Sequence, residues 1–184
     1  AYKEFEQENV HKDILTVTEA ANVRLIADAV MGHTFAGPML RQCTEFEKAF
    51  TIEQLGIPHR GIIDAIGPYY MIDLKTTQNV SHRMLQRTIY DLKYYMQAAI
   101  YERAATIMGL DMKAYFIIAV ESTAPHHVEV VELEPHYIAR GHLEWEKLLS
   151  RWSRWDGTAS HNHDGEDGFT IDAPGYAPAL DLGI

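Results

Sequence analysis

Apolar residues recur at helical spacing between positions 13 and 31. Val23, Ile26, Ala27 and Val30 share one side there, Glu19 and Asp28 take polar positions, and the pattern predicts a first helix with Thr18 as its N-cap. A shorter helical stretch is expected over residues 38–42. The pattern then changes. TEFEKAFTI, GIIDAIG and YYMIDLKTT are β-favouring segments divided by turn residues at 56–58 and 67–68, which predicts adjacent strands joined by tight turns. Helical spacing returns over residues 81–108, with Leu85, Ile89, Leu92, Met96, Ile100 and Ile107 as one apolar stripe and Gly109 as the C-cap. AYFIIAV, residues 114–120, is a continuous apolar run suited to a buried central strand, and HVEVVEL, residues 127–133, alternates as a strand with one wetter face does. Pro135 opens a last predicted helix over residues 135–154, carrying Ile138, Leu143, Leu148 and Leu149. The order of helix, three strands, long helix, two strands and helix predicts an α/β fold, a central mixed β-sheet flanked by helices.

Composition narrows this to one core. The chain has 184 residues, 47% of them hydrophobic, which suits a single domain over residues 1–155. Residues 156–184 are rich in Gly, Pro, Asp and His and read as a polar tail or long loop, in which His161 and His163 are more simply solvated than metal-bound. Cys43 is the only cysteine, and no apolar run approaches the roughly 20 residues that span a bilayer; both agree with a cytoplasmic protein. The net charge of −10 has the wrong sign for a protein that coats nucleic acid, yet a hydrolase that gathers carboxylates around a cation can still present a basic groove. His82, Arg83, Arg87 and Lys93, with Lys75, are the candidates for such a groove; a solvated charged face is the plainer alternative for each.

Three charged residues interrupt the predicted core strands. Asp73 and Lys75 are two apart in MIDLK and so share a face, and Asp64 sits in the middle of the apolar GIIDAI, where an unpaired carboxylate is costly. A divalent cation offsets that cost, and Mg²⁺ suits a few carboxylates, water and a phosphate, with the backbone carbonyl of Leu74 as a further ligand. A cation held there activates an attacking water, while Lys75 positions it or stabilises charge developing on a phosphate. On spacing alone, a structural ion pair between Lys75 and an aspartate explains these residues equally well. Trp145, Trp152 and Trp155 are spaced to pack along the closing helix, and Glu121 at the end of AVE reads as a strand-terminal charge.

The string GIIDAI, IDLKTTQNVS, YYMQAAIY and FIIAVESTAPHHVEVVEL resembles the PD-(D/E)XK nuclease superfamily, and within it the exodeoxyribonuclease VIII or RecE-type exonucleases of phages and prophages. The resemblance covers residues 18–149. It implies a restriction-endonuclease-like core in which Asp64 and Asp73 are the metal-binding acids, Lys75 the catalytic lysine, and Gln97 the helix glutamine that steadies the site. Glu47 matches the upstream acidic position, with Glu45 as the alternative. Tyr101 and Tyr94 border the Gln97 face and are candidate DNA contacts, with plain helix packing as the alternative. The implied activity is Mg²⁺-dependent digestion of double-stranded DNA from its 5′ ends, with Mn²⁺ as a substitute ion. The implied partners are a RecT-like single-strand annealing protein and further copies of the chain in a ring, within a bacterial host cell. An endonuclease on the same core, and an inactive nuclease domain serving as a DNA-binding or assembly module, are the alternatives. The chain has Ile63 where the family has Pro, and the family's functional histidine lies in a helix upstream of the matched stretch. A core fragment or short member is therefore expected.

Overall fold

Leu55 and Gly56 take positive φ of 51° and 75°, the backbone that a two-residue hairpin turn requires. The turn folds β1 (Glu45–Gln54) onto β2 (Ile57–Ile66), which pair antiparallel from Gln54 opposite Ile57 to Glu45 opposite Ile66. Pro58 lies inside β2 rather than in the turn, opposite Glu53. Its missing N–H is harmless there, because β2 meets β3 (Tyr70–Thr77) only at Ala65 and Ile66, so the outer end of the hairpin is a two-stranded ribbon. β3 runs parallel to β4 (Ala114–Glu121) along its whole length, and β5 (Val128–Glu132) closes the sheet antiparallel to β4. The result is a five-stranded mixed sheet, as the sequence predicts, and its strand order is β1-β2-β3-β4-β5. This computed structural model describes Val10 and residues 14–154; the expected tail, with Trp155, His161 and His163, lies outside the described residues.

Helices cover both faces. α1 (Val17–Gly32) and α2 (Ala36–Gln42) lie over Ala65, Ile72, Ile118 and Val120. The cap of α1 is Thr16 rather than Thr18: its hydroxyl accepts from the Glu19 N–H at 3.2 Å while the Glu19 carboxylate takes the Thr16 N–H at 2.8 Å, a reciprocal capping box. The opposite face carries the larger core, which runs from Phe50 and Ile63 through Tyr115 and Ile117 to Trp145 and Leu149. It is covered by α3 (His82–Asp91), α4 (Tyr94–Ile107) and α5 (Pro135–Trp152). Among the described residues no helix is long and apolar enough to cross a membrane.

The single long helix expected over residues 81–108 is two helices. Lys93 adopts the left-handed conformation, φ 54° and ψ 40°, and breaks the stripe after Ile89. Leu92 and Ile107 are consequently exposed, and the buried side of α4 is Tyr95, Ala98, Ala99, Ala104 and Ala105. After α4, Gly109 at φ 75° closes the helix: Gly109 N–H reaches Thr106 O at 3.1 Å and Leu110 N–H reaches Ala105 O at 2.9 Å, the paired bonds of a Schellman ending. Leu143, Leu148 and Trp152 of α5 are also exposed; its inner face is Ile138, Gly141, Trp145 and Leu149.

The break at Lys93 is held by Glu144. Its carboxylate takes Lys93 Nζ at 2.9 Å, the Tyr95 hydroxyl at 2.8 Å and Arg140 Nε at 2.8 Å. Burial alone would raise this carboxyl's pKa, but the bonds from Arg140, Lys93 and Tyr95 overcome it and hold it at about 2. A depressed carboxyl stabilises the fold fully above its unfolded pKa near 4.5 and loses that contribution as pH falls toward about 2. Glu144→Gln is therefore expected to lower stability at pH 7 by about 1–2 kcal/mol, allowing for solvent screening. Its melting temperature should converge on the parent's as pH drops below that range, which a pH series of thermal melts checks.

Candidate active site

The sheet opens where the three charged residues meet. In register, Asp64 continues the β2–β3 pairing set by Ala65 opposite Ile72 and so faces Asp73, but the ladder ends at Ala65 and the strands part. Both strands of the hairpin also lose their alternation here. Ile63 belongs to the core beneath α3–α5, whereas Ala65, two residues on, belongs to the core beneath α1 and α2, so β2 turns over at Asp64. Across from it, between the pairs Phe46 with Ala65 and Lys48 with Ile63, Glu47 takes a positive φ of 50°. The turnover frees one edge of β3, and Asp64 Oδ2 accepts the Leu74 N–H there at 2.7 Å.

Asp73 is only 1% exposed. Burial raises the pKa of its carboxyl, Lys75 opposes the rise, and the nearby Asp64 charge adds to it. Lys75 Nζ donates to Asp73 Oδ1 at 2.9 Å and lies 2.8 Å from Oδ2, so the ammonium is shared by both oxygens. Gln97 joins both charges. Its Oε1 accepts from Lys75 Nζ at 3.2 Å, and its Nε2 donates to Asp73 Oδ1 at 3.0 Å and to the Tyr101 hydroxyl at 3.0 Å. This amide orientation is forced: an ionised carboxylate only accepts and an ammonium only donates. Gln97 and Tyr101 are one turn apart on α4 and reach the site from the same side.

The structure thus brings together Asp64, Asp73, Lys75, Gln97 and Tyr101. Tyr101 turns inward, its ring 5.4 Å from Phe50, and Tyr94 sits against Lys75, whose Nζ is 4.8 Å from the ring centroid. Both tyrosines therefore support the site's own side chains. Glu45 pairs with Lys48, and Glu47 is exposed. Among the described residues no three His, Cys, Asp or Glu side chains converge, so the acidic set is the Asp64 and Asp73 pair. Lys93 belongs to the Glu144 network, Arg87 pairs with Asp91 at 3.1 Å, and His82 and Arg83 stand exposed on α3. One residue escapes a reading of the sequence altogether. Tyr115, in the apolar run of β4, is buried with its hydroxyl unpartnered, and Asp73 acts on it electrostatically. A hydroxyl in an otherwise apolar run was its only mark.

A mixed sheet between two helical layers, parted over a carboxylate pair with a lysine two residues on, defines the PD-(D/E)XK class of fold. The chain belongs to the PDDEXK-like domain family of unknown function DUF3799, whose model matches residues 2–163. The fold is also similar to that of a presumed exonuclease from Eubacterium rectale. The two share 13% identity at a TM-score of 0.64, over 83% of this chain and 60% of that one. This chain therefore spans about three fifths of that structure. No curated protein matches it.

Proposed function

We propose that this chain is a divalent-metal-dependent deoxyribonuclease that digests linear duplex DNA from an end. The observation that carries the reading is the Asp73 carboxylate, 1% exposed and ion-paired with Lys75, with the second carboxylate of Asp64 near enough to act on it electrostatically. Two carboxylates fit a small hard cation that keeps several waters and takes a phosphate oxygen as a further ligand, better than they fit a zinc ion with its nitrogen and sulfur donors. Asp64 and Asp73 would hold Mg²⁺ or Mn²⁺, with the Leu74 carbonyl as a candidate third donor and Glu47 as a candidate reached through water. The bound ion would supply Lewis acidity toward the scissile phosphate and its attacking water. Lys75 delivers positive charge to the phosphate oxygens, and Gln97 fixes Lys75 and Asp73 relative to one another. Tyr94 borders the Lys75 ammonium, and on α3 Arg83 and Arg87 offer cations, and His82 a ring hydrogen bond, to the DNA backbone.

By resemblance, digestion runs 5′ to 3′, the 3′ strand passes to a RecT-like annealing protein, and the protein works as a homo-oligomeric ring. End-labelled linear duplex and covalently closed circular duplex, each incubated with Mg²⁺ and with chelator, test the reading. The expected result is release of mononucleotides from the 5′-labelled end of linear DNA with Mg²⁺ only, with the circle spared. Cutting of the circle would assign an endonuclease instead. Failure to cut either would overturn the nuclease reading.

A further inference from the structure

Buried polar atoms almost always find partners, and exceptions in a functional site call for an explanation. The Tyr115 hydroxyl is such an exception, on the strand next to the one that carries Asp73. β3 and β4 pair in parallel with Met71 opposite Tyr115 and Asp73 opposite Ile117, so Asp73 and Tyr115 point to the same face one diagonal step apart. Both are sealed from solvent, at 1% and 2% exposure. The Tyr115 ring lies 6.3 Å from that of Tyr101, whose hydroxyl accepts from the same Gln97 amide nitrogen that donates to Asp73. A phenol keeps its proton at neutral pH, and burial only strengthens that, so the hydroxyl is a donor.

Lys75 lies within 2.9 Å of both Asp73 oxygens. A divalent cation on Asp73 competes with that ammonium for the same acceptor, and like charges repel, so its entry loosens Lys75 from the carboxylate. Asp73 then keeps only the Gln97 amide among the donors that touch it. We propose that Tyr115 is a positioning residue for the metal site: its hydroxyl donates to Asp73, directly or through one buried water, once Lys75 has been drawn away. This rests on the nuclease reading above, and specifically on Asp73 as a metal ligand. A side chain that only filled the core would need no hydroxyl, as the neighbouring Ile117 shows. A hydrogen-bonded second layer behind a ligand fixes its orientation and typically accounts for about 10–100-fold in metal affinity.

The test is calorimetric titration of metal-free protein with Mn²⁺, without DNA, for the parent, Tyr115→Phe and Asp73→Asn, with thermal melts in chelator beside it. Tyr115→Phe should melt at or above the parent, because the hydroxyl has no partner without metal, yet bind Mn²⁺ about tenfold more weakly. In cleavage assays its half-saturating metal concentration should rise by a similar factor, with the rate at saturating metal within about threefold of the parent's. If Tyr115→Phe binds Mn²⁺ like the parent while Asp73→Asn does not, the role of Tyr115 is wrong and the nuclease reading stands. If Asp73→Asn itself binds like the parent, both fall. A Tyr115→Phe melt several degrees below the parent's would also overturn the inference, since the hydroxyl would then be partnered in the metal-free protein.

Discussion

Asp73→Asn and Lys75→Met are expected to lower cleavage alike, by about 10³-fold or more, while moving stability in opposite directions. Each removes a charge that the chemistry needs: the first a carboxylate aimed at the cation, the second the ammonium aimed at the phosphate. Their effects on the fold differ because only one member of the pair is deeply buried, with side-chain exposures of 23% for Lys75 and 2% for Asp73. The ionised Asp73 side chain is held out of water at a cost that raises its pKa. Asparagine keeps its shape and can still accept from Lys75 while removing that cost, and the lysine left behind reaches solvent. In chelator, Asp73→Asn should melt at or above the parent. Lys75→Met instead strands the carboxylate beside Asp64 with its main counter-charge gone, and breaking such a pair from one side costs about 3 kcal/mol or more. For a domain of this size that corresponds to a fall of about 6–12 °C in melting temperature. Activity assays and melts on the two purified variants decide it. If Asp73→Asn were the less stable of the two, the pair would be a structural ion bridge and the site would have been misplaced.

The readability of this chain differed between residues for physical reasons. Strands β1 to β3 could be placed as β-favouring segments between turn residues and β4 as a continuous apolar run, and the charges in MIDLK and GIIDAI stand out against their apolar neighbours. Asp73 and Lys75 fell on one face by the period of two alone. Their meeting with Asp64 could not be read in that way, since it depends on β2 parting from β3 and turning over at Asp64, a departure from the period. The break at Lys93 was hidden because a lysine gives no hint of a left-handed backbone, and because the inner side of α4 is largely alanine, whose small side chains carry little hydropathy yet let neighbours come close. Tyr94 and Tyr101 could be assigned to the helix face of Gln97, but not to an inward direction, which is set by Lys75 and Phe50 across the site. Glu47 stood out as a charge on a strand; the positive φ that accompanies it is a property of the folded hairpin.

Gly141→Val is expected to damage the fold and the chemistry together, away from the acidic pair. A Cβ at Gly141 would meet the carbonyl group of Tyr95, with the carbonyl carbon at 2.8 Å and the Met96 Cα at 3.0 Å, so the obstacle is backbone and cannot swing aside. α5 must then move off α4, which disturbs the stacking of Tyr137 on Tyr95 at 4.6 Å and the Glu144 bond to the Tyr95 hydroxyl. Overpacking of this kind costs about 1–3 kcal/mol and occasionally more, and the β-branched side chain lies toward the upper end. Gly32 gives the opposite sign: nothing lies within 4 Å of its added Cβ, so Gly32→Ala should be neutral or stabilising by about 0.5–1 kcal/mol. The consequence for chemistry follows from the chain itself. Gln97 is two residues beyond Tyr95 on the same helix, and its bonds to Asp73 and Lys75 are 3.0 and 3.2 Å long. A shift of α4 by about 1 Å breaks them, and misplacement on that scale lowers the rate by about 10²-fold. Gly141→Val should therefore lose stability and cleavage together through backbone displacement, whereas Gln97→Ala should lose cleavage and about 1–3 kcal/mol by stripping a donor from the buried Asp73. If Gly141→Val cleaves like the parent at a temperature where it remains folded, the packing of α5 on α4 does not set the position of Gln97.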